Sequence, residues 1–103
     1  MLKKVITANK VYLKPKAYED LENIYNYSTL NFGETKAINY INDIDQVFRK
    51  LSKGDIRGKT CDYIKVNLRK LNVNSHVIFY KHNKNLIEII RILHQQQDFP
   101  RHL

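Results

Sequence analysis

The stretch LRKLNVNSHVIFYKHNKNLIEIIRILH, residues 68–94, decides the fold. It reads as three strands joined by two tight turns. Residues 68–73 come first, and Asn74-Ser75 makes a polar two-residue step. Residues 76–81 follow, rich in β-branched and aromatic side chains. His82-Asn83-Lys84-Asn85 turns the chain again, and residues 86–93 make the third strand. Apolar runs bounded by Asn-rich turns are a hairpin signal. Strict alternation sends Val77 and Phe79 to one face and Ile78 and Tyr80 to the other. Arg91 interrupts the apolar run of the last strand. A buried, unpaired charge is costly. Either Arg91 sits half-exposed beside a carboxylate, or it contacts a partner.

Upstream of this stretch the period changes from two to about 3.6. Ala17, Leu21, Ile24, Tyr25, Ser28 and Phe32 form one stripe, which predicts a helix over residues 15–31. Pro15 suits its first turn, where a missing N–H is no loss. Glu19, Asp20 and Glu22 lie in its early turns, near the positive end of the dipole. Ala37, Ile41, Ile44, Phe48 and Leu51, widened by Tyr40 and Val47, predict a second helix over residues 34–53. Gly33 and Gly54 stop the two helices. The link between them is so short that they must be antiparallel neighbours. Residues 10–13 read as a short first strand, and residues 1–9 as an extension of it or a loose arm. Residues 55–63 read as a polar loop. In residues 95–103, Pro100 forbids a long helix, leaving a turn and an exposed end. The expected fold class is α+β: one domain over residues 1–103, with strand, two helices, then three strands. A helical hairpin packs on an antiparallel sheet of about four strands.

The 103 residues carry a net charge of +8. Residues 1–54 hold nine Lys/Arg and six Asp/Glu, and residues 55–103 hold nine and four. Such a balance suits an acidic partner, nucleic acid or protein, without choosing between them. No apolar run is long enough for a membrane span, and no signal peptide is expected at the start. A cytoplasmic location is the default. The single cysteine, Cys61, has no second cysteine to pair with and no metal-ligand spacing around it. The histidines, His76, His82, His94 and His102, lack close pairing with one another or with Cys61, so no metal and no cofactor are expected. Gly58-Lys59-Thr60 lacks the rest of a phosphate-binding loop. Cleavage of RNA would need a base, an acid and cations for the developing charge. Arg69, His76, Tyr80, Arg91 and His94 are the candidates on the sheet. Each also has a bland reading: a strand-edge histidine, a core tyrosine with its hydroxyl exposed, and a strand-end His94 satisfied by Asp98 or backbone.

The order of elements joins several strings. Ala17-x-x-Asp20-Leu21-x-x-Ile24-x-x-Tyr27, Phe32-Gly33, Ala37-x-x-Tyr40 and Phe48-x-x-Leu51 lie in the helical half. Gly58-Lys59, Ile64-Lys65 and Leu68-Arg69-Lys70 follow. The most specific are Ser75-His76-Val77-Ile78-Phe79-Tyr80 and Ile89-x-Arg91-Ile92-Leu93-His94-x-x-x-Asp98. From Val11 onward the chain resembles the ParE branch of the ParE/RelE toxins of type II toxin–antitoxin modules. That resemblance implies a compact toxin and a cognate antitoxin whose acidic, disordered segment folds on it. It also implies contact with DNA only indirectly, through the antitoxin or the target, and toxin dimers or toxin–antitoxin hetero-oligomers. RelE-like members cut messenger RNA on the ribosome, and ParE-like members poison DNA gyrase. Here Gln95-Gln96-Gln97 stands where the nuclease pattern wants cations, and the tail has no tyrosine. The expectation is therefore gyrase inhibition by stabilising the cleaved gyrase–DNA state, without a catalytic residue. Arg69, His76, Tyr80, Arg91, His94 and Asp98 are the partner-contacting candidates. The alternatives are a ribosome-dependent ribonuclease using Arg69, His76, Tyr80 and His94, and a non-toxic antitoxin-binding homologue.

Overall fold

The computed structural model describes residues 11–103. Residues 1–10, read above as the start of the first strand preceded by an extension or a loose arm, lie outside the described residues. β1 (Val11–Leu13) leads directly into α1 (Pro15–Phe32) and α2 (Glu34–Lys53). Then come β2 (Lys59–Thr60), β3 (Arg69–Val73), β4 (His76–Asn83), β5 (Leu86–His94) and a short α3 (Phe99–His102). The expected α+β class holds, with five strands in the order β1-β5-β4-β3-β2.

Two features of the sheet depart from the sequence reading. β1 pairs parallel with β5, Leu13 opposite Ile89, so the sheet is mixed rather than antiparallel. A three-residue strand whose partner lies over seventy residues away leaves no hairpin signature. β2 is a two-residue strand inside the expected polar loop, with Lys59 opposite Lys70 and Thr60 opposite Arg69. The β2 edge is thus a very short strand, which discourages edge-to-edge association there.

The helices form one layer because their stripes are one-sided. Ala17, Leu21, Ile24 and Ser28 of α1 are buried. So are Ala37, Ile41, Ile44, Phe48 and Leu51 of α2. They meet Val73, Ile78, Tyr80, Ile87, Ile89 and Ile92 on the sheet. Phe32, counted in the α1 stripe, is 60% exposed instead. Gly33 turns the chain there with φ 91, and its N–H donates to the Thr29 carbonyl. Phe32 therefore sits at the tip of the hairpin, beyond the sheet.

The opposite face of the sheet is also covered. Val77, Phe79 and Leu93 pack with Cys61 and Leu68 from the β2–β3 connection, and with Ile64, Ile90, Phe99 and Leu103. The rings of Phe79 and Phe99 meet edge to face at 4.9 Å. The C-terminal residues are hence not a free end: α3 seals the second face. Pro100 sits within the first turn of this four-residue helix, where it costs nothing.

A bulge re-aims β5. Phe79 opposes Arg91 and Tyr80 opposes Ile89, so Ile90 has no partner across the ladder. The helix-facing residues of β5 are spaced 87, 89 and then 92. Alternation alone would have sent Ile92 to the other face.

Candidate functional site

β1 is too short to cover β5. Its last ladder bond runs from the Lys14 N–H to the Ile89 carbonyl, 3.0 Å. Past that point the outer edge of β5 is open, and a groove of about 550 Å³ runs between it and α1. Asp20, Tyr27, His76, Arg91, His94, Gln97 and His102 line it.

The bulge and the open edge decide what happens to Arg91. Its guanidinium reaches α1, where Nε donates to Asp20 Oδ2 at 2.7 Å and Nη2 to Oδ1 at 2.8 Å. Nη1 donates to the His102 carbonyl at 3.0 Å. The bidentate bond to Asp20 holds the guanidinium pKa above its usual value, against burial. Asp20 Oδ2 also accepts the Ile92 N–H at 2.9 Å. The next outward donor, the His94 N–H, goes to Gln97 Oε1 at 2.7 Å. Two side chains thereby replace the ladder partners that β1 does not supply. Of the two readings of Arg91, the pairing with a carboxylate is the one found.

His76 and His94 face each other across β4 and β5, their rings edge to face at 5.3 Å. The Tyr40 hydroxyl accepts the Ser75 N–H at 3.2 Å and lies against His76 Nδ1. That contact occupies Nδ1 of His76 and leaves Nε2 as the ring's other polar atom. Burial, then repulsion from His94, lowers the His76 pKa from 6.5 to about 4. Burial likewise pushes the Tyr40 hydroxyl above its ordinary value. His76 is a neutral imidazole at neutral pH. His94 Nδ1 accepts the Gln96 N–H at 3.2 Å, so its strand end is satisfied by backbone rather than by Asp98. Asp98 is exposed at the start of α3 and caps no N–H there.

Arg69 and Tyr80 are not part of this groove. They stand opposite each other on β3 and β4 and both engage Gly58. The Gly58 N–H donates to the Tyr80 hydroxyl at 2.6 Å, and Arg69 Nη1 donates to the Gly58 carbonyl at 2.8 Å. The Tyr80 hydroxyl is buried with its ring, not exposed as expected. A Cβ on Gly58 would lie 2.5 Å from the Lys70 carbonyl and 2.9 Å from Tyr80. This glycine serves close approach of two backbones, not phosphate binding.

The structure thus brings together His76, Arg91 and His94, and separates Arg69, Tyr80 and Asp98 from them. The sequence reading left out Asp20, Tyr40 and Gln97, and did not select His102 for the site. Asp20 had a readable signal: it falls between Ala17 and Ile24 at stripe spacing, where a carboxylate needs a partner. Tyr40 and Gln97 had none. Among the described residues no cluster of His, Cys, Asp and Glu has the arrangement of a metal site. No helix among them is long and apolar enough to cross a membrane.

Known proteins share this chain's pattern. It is similar to a toxin designated ParE1 from Mycobacterium tuberculosis, 29% identical over 97 residues, covering 93% of this chain and 99% of that one. A Caulobacter vibrioides toxin, also designated ParE1, is 29% identical over 91 residues, covering 88% and 94%. Among solved structures, one described as the chromosomal ParDE TA system from P. aeruginosa superposes with a TM-score of 0.71. It covers 82% of this chain and 94% of its own at 21% identity, a likeness of fold. The family profile described as ParE toxin of type II toxin–antitoxin system, parDE, matches residues 11–99. The chain belongs to the ParE toxin family of type II toxin–antitoxin systems.

Proposed function

We propose that this toxin acts on DNA gyrase by binding, stabilising the state in which gyrase holds cleaved DNA, and that a cognate antitoxin neutralises it. The carrying observation is the engagement of the groups a nuclease would need. Arg91 is committed to Asp20, and Arg69 and Tyr80 are held at Gly58, apart from the histidine groove. His76 is neutral, with Nδ1 occupied. Among the described residues no cation stands free beside the paired histidines to neutralise phosphorane charge. A toxin that binds needs only a higher affinity for one state of its target than for the others. The antitoxin's apolar segment is assigned to Tyr27, Leu30 and Phe32 of α1, which are 63%, 86% and 60% exposed.

A gyrase supercoiling assay tests the target. Added toxin should abolish supercoiling and leave linear DNA after detergent and protease. Unchanged supercoiling at stoichiometric excess would remove gyrase as the target. One observation favours the ribonuclease alternative, namely that His76, His94 and His102 share a groove with Arg91. Primer extension on translated messages decides it, since a ribonuclease leaves new 5′ ends.

A further inference from the structure

The positive charge of the chain is concentrated in one segment. Residues 57–84 contain seven lysines and arginines and one carboxylate, Asp62, and so carry +6 of the net +8. The fold gathers part of this segment around a cleft of about 390 Å³ at the β4–β5 turn. Arg57, Arg69, His82 and Lys84 line it, with Thr60 and Asn67 as neutral donors. The ion pairs among the described residues are Arg49–Asp45 and Arg91–Asp20, so Arg57, Arg69 and Lys84 are not paired with a described carboxylate. Residues 1–10, outside the description, contain no Asp or Glu. Asp62 lies on the wall, but its Oδ1 accepts the Asn67 N–H at 2.8 Å. The Gly58 carbonyl fixes Arg69 through one N–H, and the other guanidinium donors have no side-chain or backbone partner among the described residues.

We infer that this cleft binds the phosphodiester backbone of duplex DNA, so that the toxin itself contacts DNA. Unpaired cations in a cleft focus positive potential, and arginine forks match phosphate oxygens. An acidic amphipathic peptide is the lesser fit, because Leu68 is the one aliphatic residue on the wall and is itself buried. Such a peptide would find charge there but no anchor. Backbone phosphates require donors alone. The choice of DNA over RNA rests on the gyrase reading.

The test is fluorescence anisotropy with the full chain and a labelled duplex of about 20 base pairs, from about 50 to 200 mM KCl. The wild-type protein should bind at low salt and weaken steeply as salt rises. Arg57→Glu combined with Lys84→Glu should weaken binding at least about tenfold and reduce the log–log salt slope by about 2. Lys36→Glu with Lys50→Glu, an equal charge change on α2, should cost much less. Circular dichroism melts establish that both variants fold. Equal losses from the two pairs would overturn the cleft, leaving only net charge. Tighter binding to an RNA hairpin than to the duplex, or full competition by a short polyglutamate, would overturn the assignment to DNA. The measurement contains no gyrase. DNA binding without gyrase inhibition would support the cleft and refute the proposed target.

Discussion

At the scale of single residues, the groove is governed by who holds each proton. His76 is neutral because its ring is largely out of water and because His94 repels a charge on it. An unfolded chain lacks both effects, so between pH 6.5 and about 4 it takes up a proton that the folded chain refuses. This stabilisation is present above pH 6.5 and is lost as pH falls towards 4. The urea midpoint should therefore decline over that window, and His76→Gln should flatten the decline. If the wild type and variant differ by the same amount at pH 7 and pH 4.5, His76 is not the titrating group. Gly58→Ala concerns packing. The added carbon meets backbone at 2.5 Å, which a side-chain rotation cannot relieve. The expected cost is about 2–3 kcal/mol, since overpacking is combined with loss of the hydrogen bond to Tyr80. Equal melting temperatures for variant and wild type would mean the β2 segment moves freely. Cys61 is fully buried, and burial raises its thiol pKa. It should resist alkylation until the chain unfolds.

At the scale of elements, legibility in the sequence follows the distance over which the physics acts. The β3–β4–β5 meander was readable because each turn and its flanking alternation lie within a few residues. Both helices were readable from stripes that the structure buries almost residue for residue, from Ala37 to Leu51 in α2. The parallel β1–β5 pairing, the Ile90 bulge and the docking of α3 were not readable. The first and last depend on contacts outside the local meander, and the bulge is one extra residue in a hairpin strand that leaves no mark on the apolar run. Phe99 and Leu103 fall in a segment that polar composition and Pro100 mark as a free end, yet they cover Phe79 and Leu93. The site suffered more than the fold, because the bulge alone determines where Arg91 points. Asp20 is the residue on which that edge depends. Asp20→Ala leaves the Ile92 N–H and a guanidinium that is 15% exposed without their shared acceptor. The loss should be about 3 kcal/mol, since breaking a largely buried pair strands the remaining charge. Asp20→Ala with Arg91→Met should recover part of it. Chemical unfolding of the four corners of that cycle measures the coupling, and an additive cycle would show the pair to be incidental.

At the scale of the whole molecule, the surface is divided. Charge without partners gathers at the β4–β5 turn, while apolar side chains without partners gather along α1 and at the tip of the helical hairpin. Tyr27 and Leu30 are one helical turn apart, with Phe32 at the end of α1 and Ile38, 42% exposed, just inside α2. None is needed to hold the helices together, since the buried stripes lie on the other side. Exposed apolar residues so grouped lower solubility unless something covers them. In a toxin–antitoxin module the antitoxin is the partner available to cover them. Leu30→Lys should therefore weaken the complex with a cognate antitoxin by about 2 kcal/mol or more, roughly thirtyfold in Kd, if Leu30 is an anchor. At 86% exposure it should leave the thermal stability of the free toxin nearly unchanged. Calorimetric titration of the antitoxin into wild type and variant checks the first expectation, and a melt of each checks the second. On the proposed division of partners, charge reversal at Arg57 and Lys84 should alter antitoxin affinity far less than Leu30→Lys does. The opposite ranking would place the antitoxin's acidic segment in the basic cleft and leave the apolar surface of α1 to the target.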